Sequence, residues 1–274
     1  MFCLGICNRM TAFSLGTVWE ETIAFMRRES GLLIPVGLAI FGPMQVLLGI
    51  AIASAPAMRS AAGTGTANPQ MLLVLPALIL AIYGYLAVSL IVLVPRISVG
   101  EALLGALKRA PAALLAGLVV MSIWIVIAIG VVTMGTLAAI AFGASPASPA
   151  VSTLFSLLII IPMLVIMVRM LVAAPVLALE QLGTAQVLRR IWALGRDNVL
   201  RFAGFWVLFI FLQIIVALVD QLVIGSLVQL LKLAVSDGEL LVVAQALISA
   251  GLQAMLSLVM AVYIALIYRR IAMS

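Results

Sequence analysis

The chain has 274 residues, 66% of them hydrophobic and only 9% charged, with a formal net charge of +6. Soluble domains are about 45–50% apolar and about 25% charged, so a globule of this size would lack the polar surface to stay in water. There is no histidine, which excludes most acid–base, triad and zinc mechanisms.

The charges are clustered. None lies between Glu29 and Arg59, Arg59 and Arg96, Arg109 and Arg169, or Glu239 and Arg269. A spanning helix needs roughly 20 apolar residues, so these gaps predict an integral membrane protein. Its basic residues flank the apolar runs, where loop charge sets topology, and no separate basic cluster points to nucleic acid.

The N-terminus, MFCLGICNRMTAF, lacks the basic start and cleavage site of a signal peptide. Met10 is an alternative start, which would make residues 1–9 an extension. Cys3 and Cys7 are the only cysteines, too few for a zinc site without histidine. Residues 14–28 then read as an amphipathic helix. Leu15, Val18, Trp19, Thr22, Ile23, Phe25 and Met26 share one side, and Glu20, Glu21, Arg27 and Arg28 the other. Thr17 and Glu20 have capping-box spacing. The Glu20–Glu21 pair is read as solvated. A first span is expected over 31–53, kinked at Pro35 and Pro43.

The small, polar residues 54–70 predict a loop, and a second span follows over 71–94. Residues 98–110 repeat the amphipathic pattern. Val99, Leu103, Leu104 and Leu107 oppose Glu101, Lys108 and Arg109, and Ser98 and Glu101 form a second capping box. A third span (112–142), a tight loop (143–150) and a fourth span (151–179) come next. The third copy is 183–197, where Val187, Leu188, Ile191 and Leu194 are apolar, with Trp192 at the edge. Gln186, Arg189, Arg190 and Arg196 are its polar face. The fifth span covers about 199–224. An outer helix or loop covers 225–239, with Lys232, Asp237 and Glu239, and the sixth span covers 240–268.

The copies are evenly placed. Gly16 and Gly100 are 84 residues apart, and Gly100 and Gly183 are 83. This predicts three units of one amphipathic helix and two spans, at about 14–97, 98–181 and 182–270, in a single membrane domain. In the six-span arrangement Arg9, Arg27, Arg28, Arg96, Lys108, Arg109, Arg189, Arg190, Arg196, Arg201, Arg269 and Arg270 share one side, and only Arg59 and Lys232 lie on the other. By the positive-inside bias both termini face the cytoplasm across an inner membrane. The three amphipathic helices are expected to lie in the headgroup region, apolar face down.

Arg169 is the most informative single residue. It stands about ten residues inside the fourth span, roughly 15 Å deep at 1.5 Å per residue. One reading is a contact to substrate or lipid headgroup. The other is a structural residue that snorkels or bonds a neighbouring helix. Gln213 is its expected first partner, and Gln45 and Gln253 complete a candidate intramembrane polar site. Glu180 is expected to meet Arg189 or Arg190 across the Gly183 turn. Arg27, Arg28, Lys108, Arg109, Arg189, Arg190 and Arg196 are candidate headgroup contacts.

Pro175-Val-Leu-Ala-Leu-Glu180, Gly183 and Val187-Leu-Arg-Arg-Ile-Trp-Ala-Leu194 resemble the membrane domain attached to some glycerophosphoryl diester phosphodiesterases, which recurs in related stand-alone bacterial membrane proteins of unknown function. Ile191 stands where that family carries serine. Ser14-Leu-Gly16 and Ser98-Val-Gly100 resemble its other cytoplasmic entries. The catalytic barrel of the phosphodiesterase is absent, so the resemblance carries no esterase activity.

These readings combine into an all-α, six-span, non-enzymatic membrane protein with no cofactor or metal. It would organise lipid, anionic lipid included, or a protein partner or second copy at the cytoplasmic face. The alternative is a transporter or lipid-handling channel for a small or anionic substrate. Repeats are frequent in transporters, but three same-way-up units and few polar lining residues weigh against it.

Overall fold

A computed structural model describes residues 15–53, 72–141, 148–180, 184–234 and 238–272. The described chain is helical throughout, and six of its helices are long and apolar enough to cross a membrane. Residues 1–9 with both cysteines, the 54–70 loop, the Gly183 turn and most of the 143–150 loop lie outside the described residues.

Among the described residues ten α-helices follow in order. They are α1 (Leu15–Arg28), α2 (Ser30–Ala53), α3 (Val74–Leu93), α4 (Val99–Ala141), α5 (Pro149–Arg169), α6 (Ala173–Leu179), α7 (Thr184–Asp197), α8 (Val199–Val219), α9 (Gly225–Ala234) and α10 (Gly238–Ala272). A 3₁₀ turn, Met170–Val172, joins α5 to α6, and a π-helical segment, Asp220–Ile224, joins α8 to α9.

The centre is the second half of α10, where every residue from 261 to 268 is buried. Helices α2 and α3 pack on it and on each other, and α1 crosses its end. Close approach needs small residues. A Cβ built on Gly84 would stand 2.7 Å from the Phe41 ring, and one on Gly37 would stand 2.7 Å from Leu258. Gln45 Nε2 donates to Ser257 Oγ at 3.0 Å, tying α2 to α10 inside the bundle.

Helix α1 starts by Leu15, so Thr17 and Glu20 sit inside it rather than at its cap. Val18 and Thr22 are fully buried, and the Thr22 hydroxyl donates back to the Val18 carbonyl at 2.8 Å. Trp19 meets Tyr263 of α10 with ring centroids 6.0 Å apart. Glu21 is not simply solvated: Arg269 donates to its Oε1 and Arg270 Nη2 to its Oε2 at 3.0 Å. A carboxylate between two guanidinium groups anchors this helix to α10.

The second amphipathic segment differs from expectation. Residues 99–110 and the third span are one continuous 43-residue helix through Pro111. Its start is capped as the spacing predicts, with Glu101 N–H donating to Ser98 Oγ at 3.2 Å and Ser98 N–H to Glu101 Oε2 at 3.0 Å. The buried ridge is Ala102, Ala106, Ala110 and Ala113, while Leu104 and Leu107 are exposed. Small residues let α4 approach α3 closely, and the leucines lose nothing by facing lipid.

The fifth span also runs on. Helix continues through the π segment into α9, so of the helix or loop expected over 225–239 it is helix that is found up to Ala234. Ser249 of α10 donates to Asp220 Oδ1 at 2.5 Å beside this segment. The backbone of α2 stays helical through Pro35 and Pro43.

Candidate functional site

Helix α7 carries three basic side chains, Arg189, Arg190 and Arg196. Val187 and Ile191 of α7 are fully or almost fully buried, whereas Arg189, Arg190 and Arg196 are exposed. Two contacts fix its direction. Arg190 Nε lies 3.5 Å from Glu180 Oε1, and a Cβ on Gly195 would touch the Arg169 backbone at 3.0 Å. So α7 folds back antiparallel along α6 and the 3₁₀ turn, with Gly195 beside Arg169. Glycine lets the two segments approach this closely, because an added Cβ would press on the Arg169 backbone.

This placement changes the meaning of Arg169. It lies inside the Ser156–Leu179 span, as sequence distance put it, at the point where α5 passes into the 3₁₀ turn and the basic helix reaches it. The guanidinium carbon lies 4.2 Å from the centroid of the Trp192 ring. A cation over an indole face is worth about 0.5–1 kcal/mol when exposed and about 2 or more when desolvated. Arg169 Nε and Gln213 Oε1 are both buried without a hydrogen-bond partner among the described residues. The structure therefore gives Arg169 an aromatic contact, and no bond to Gln213. Gln45 and Gln253 belong to another place: Ser257 accepts from Gln45 and donates to the Gln253 carbonyl at 2.9 Å, in the packed interface of α2 and α10. The four polar residues do not form one site.

The remaining candidates take separate positions. Arg28 lies 3.1 Å from Glu29 and 5.6 Å from the Phe25 ring centroid. Arg109 Nη1 reaches the Leu177 carbonyl of α6 at 3.5 Å. Arg27 and Lys108 are exposed. Glu180 also accepts from the Tyr268 hydroxyl at 3.0 Å, so one carboxylate joins α6, α7 and α10.

Above α7 lies a cavity of about 450 Å³. It is lined by residues of α3, α4, the 3₁₀ turn and α6, with Met167 of α5 and Leu188 and Ile191 of α7. Trp206 of α8 and Met260 and Ile264 of α10 also line it. Trp206 Nε1 is buried and has no acceptor among the described residues. Sequence reasoning missed both the cavity and Trp206. The signal available was a tryptophan two turns inside a span with no polar partner in register, and nothing separates that from a packing residue until the helices are assembled. No group of three or more potential metal ligands occurs among the described residues.

Comparison with protein-family models, with curated proteins and with solved structures finds no match.

Proposed function

We propose that this is a non-catalytic, multi-pass inner-membrane protein that holds anionic lipid at its cytoplasmic face. The supporting observation is the seating of α7. Its apolar side is sunk into the bundle, and Arg189 and Arg196 project outward with no acidic partner among the described residues. Each basic residue near an anionic surface contributes about 1 kcal/mol. Reversing Arg189, Arg190 and Arg196 to Glu together should weaken binding of anionic over zwitterionic lipid by the purified protein at least tenfold. Unchanged lipid selectivity would leave these residues as topology signals only.

The finer features belong to the same proposal. The chain is built of three related units with cytoplasmic termini; the first and third open on a separate amphipathic helix, and in the second that segment is continuous with its span. It shares this plan with the membrane domain of the glycerophosphoryl diester phosphodiesterases. Single cysteines at Ser60, Ser148 and Ser236, in a background without Cys3 and Cys7, should label from outside with an impermeant reagent. Labelling at Ser98 or Thr184 instead would reverse the topology.

A transporter or lipid-handling channel is the second reading. It draws on Asp220, a carboxylate in a π-helical segment bonded to Ser249, since such segments recur at functional sites. Substrate-dependent flux in proteoliposomes would favour it.

A further inference from the structure

We propose that Arg169, stacked on Trp192 and flanked on α7 by Arg189 and Arg196, binds one phosphate group, carried by a lipid headgroup or free in solution. The inference deepens the lipid-holding function and rests on it, naming the group that is held and the residues that hold it.

Three arginines lie around one indole. The Arg169 guanidinium carbon is 4.2 Å from the Trp192 ring centroid. Arg189 precedes Trp192 by three residues and Arg196 follows it by four. Residues at these spacings are neighbours on a helix, with Cβ atoms about 5–6 Å apart. Arg190 is turned away from them, toward Glu180, which also accepts from the Tyr268 hydroxyl. Among the described residues no acid pairs with Arg169, Arg189 or Arg196. Like charges gathered without a counter-charge repel one another, and an anion between them removes the repulsion.

The Arg169 guanidinium can be reached. Its Nε is sealed inside the protein, but its two terminal nitrogens are not, and no described group hydrogen-bonds them. Stacking occupies a face of the guanidinium and leaves the in-plane donors free. That flat fork matches two phosphate oxygens at once. The level in the membrane is also right. Gly195 lies against the Arg169 backbone, and α8, the next span, starts at Val199, so the guanidinium is level with the start of a span. Lipid phosphates lie where spans begin and end. Trp192, at 44% exposure, has the half-buried place usual for tryptophan at that level. An arginine within the limits of a span is normally paired, and a phosphate is the partner that α5 and α7 do not supply.

Native mass spectrometry of the full chain, released from phosphate-free maltoside micelles, tests the site. The wild type should take up phosphatidylglycerol in preference to diacylglycerol with the same chains. Arg169→Gln should weaken that uptake at least about tenfold, the loss expected for paired charge-assisted hydrogen bonds. Arg196→Gln should weaken it about fivefold, as for one charge beside an anionic group. Arg96→Gln removes the same charge from the exposed α3–α4 link and should stay within about twofold of the wild type, since screening limits distant charges. If Arg169→Gln does not fold, the contrast between the exposed Arg196 and Arg96 decides. Inorganic phosphate identifies the source. Competition that Arg169→Gln abolishes assigns the site to free phosphate, and absence of competition assigns it to the lipid. Equal effects at Arg169, Arg196 and Arg96 would overturn the site and leave diffuse surface charge, and so would equal uptake of diacylglycerol. The lipid-holding function fails on a different result. Equal uptake of phosphatidylcholine and phosphatidylglycerol, both through Arg169, would remove the preference for anionic lipid and keep the phosphate site.

Discussion

The two halves of the membrane bundle have similar composition and opposite packing. In the half made of α2, α3 and the end of α10, 28%, 39% and 61% of the most apolar stretch of each helix is buried. In the half made of α4, α5 and α8, the corresponding shares are 6%, 12% and 11%. The more weakly buried helices are at least as hydrophobic, so hydrophobicity does not decide which half is core. Lipid tails are as apolar as leucine, and helices associate in them through close packing and polar bonds. The tight half has Gly37, Gly84 and the Gln45–Ser257 bond. The loose half has Gly117 and Gly130, whose added Cβ atoms meet nothing. The cavity lies where the two halves meet.

The sharpest way to break this comparison is to exchange glycines for leucine. Gly84→Leu drives a side chain into Phe41 and Ile40 and should destabilise by about 1–3 kcal/mol or more, as overpacking does. Gly130→Leu in α4 should leave the unfolding transition in mild detergent nearly unmoved. Equal losses at the two positions would mean that α4 is packed against something the comparison leaves out.

A smaller effect is expected at the buried polar bond. Gln45→Leu removes the donor to Ser257 and should cost about 0.6 kcal/mol, and at most about 1.7, on the scale measured between membrane helices. A double-mutant cycle with Ser257→Ala isolates the coupling. Zero coupling would leave the tight half held by packing alone.

Arg169 tests the seam. Arg169→Met removes the stacking on Trp192, worth about 0.5–1 kcal/mol, but also removes a partly buried charge with an unpaired Nε. The two effects oppose each other, so stability should change by less than about 1 kcal/mol. If lipid selectivity also survives, Arg169 is a packing residue. If the protein folds but the selectivity goes, Arg169 contacts the headgroup.

The smallest change should come from the α3–α4 link, where Arg96 holds a positive φ of 61°. Glycine adopts this conformation at no steric cost, so Arg96→Gly should stabilise by roughly 0.5–1 kcal/mol. A loss instead would show that the Arg96 side chain holds the charged end in place.

The legible features were those that need only a few neighbouring residues. The Ser98–Glu101 cap follows from spacing, and the Glu180–Arg190 pair from two residues flanking a short turn. The apolar runs predicted all six candidate spans. Other features depend on residues far apart in the chain. The contact between Glu21 and Arg269 spans 248 positions, and the face of α4 that meets protein is its alanine ridge instead of its leucines. Arg169 illustrates the difference. Its position in the sequence implied a place deep in a span with Gln213 as first partner, and only the return of α7 along α6 brought Trp192 to it.

Composition and charge pattern by themselves determined that this chain belongs in a membrane, because too little polar surface exists to solvate it. Local pattern also set the starts of several helices. Tertiary structure alone decided which apolar faces meet protein, where the cavity opens, and that Trp206 lines it with an unsatisfied N–H. In water, burying apolar surface would have separated inside from outside along each helix. In lipid that distinction vanishes, and the choice passes to shape and to a few polar atoms, whose partners are known only once the helices are assembled.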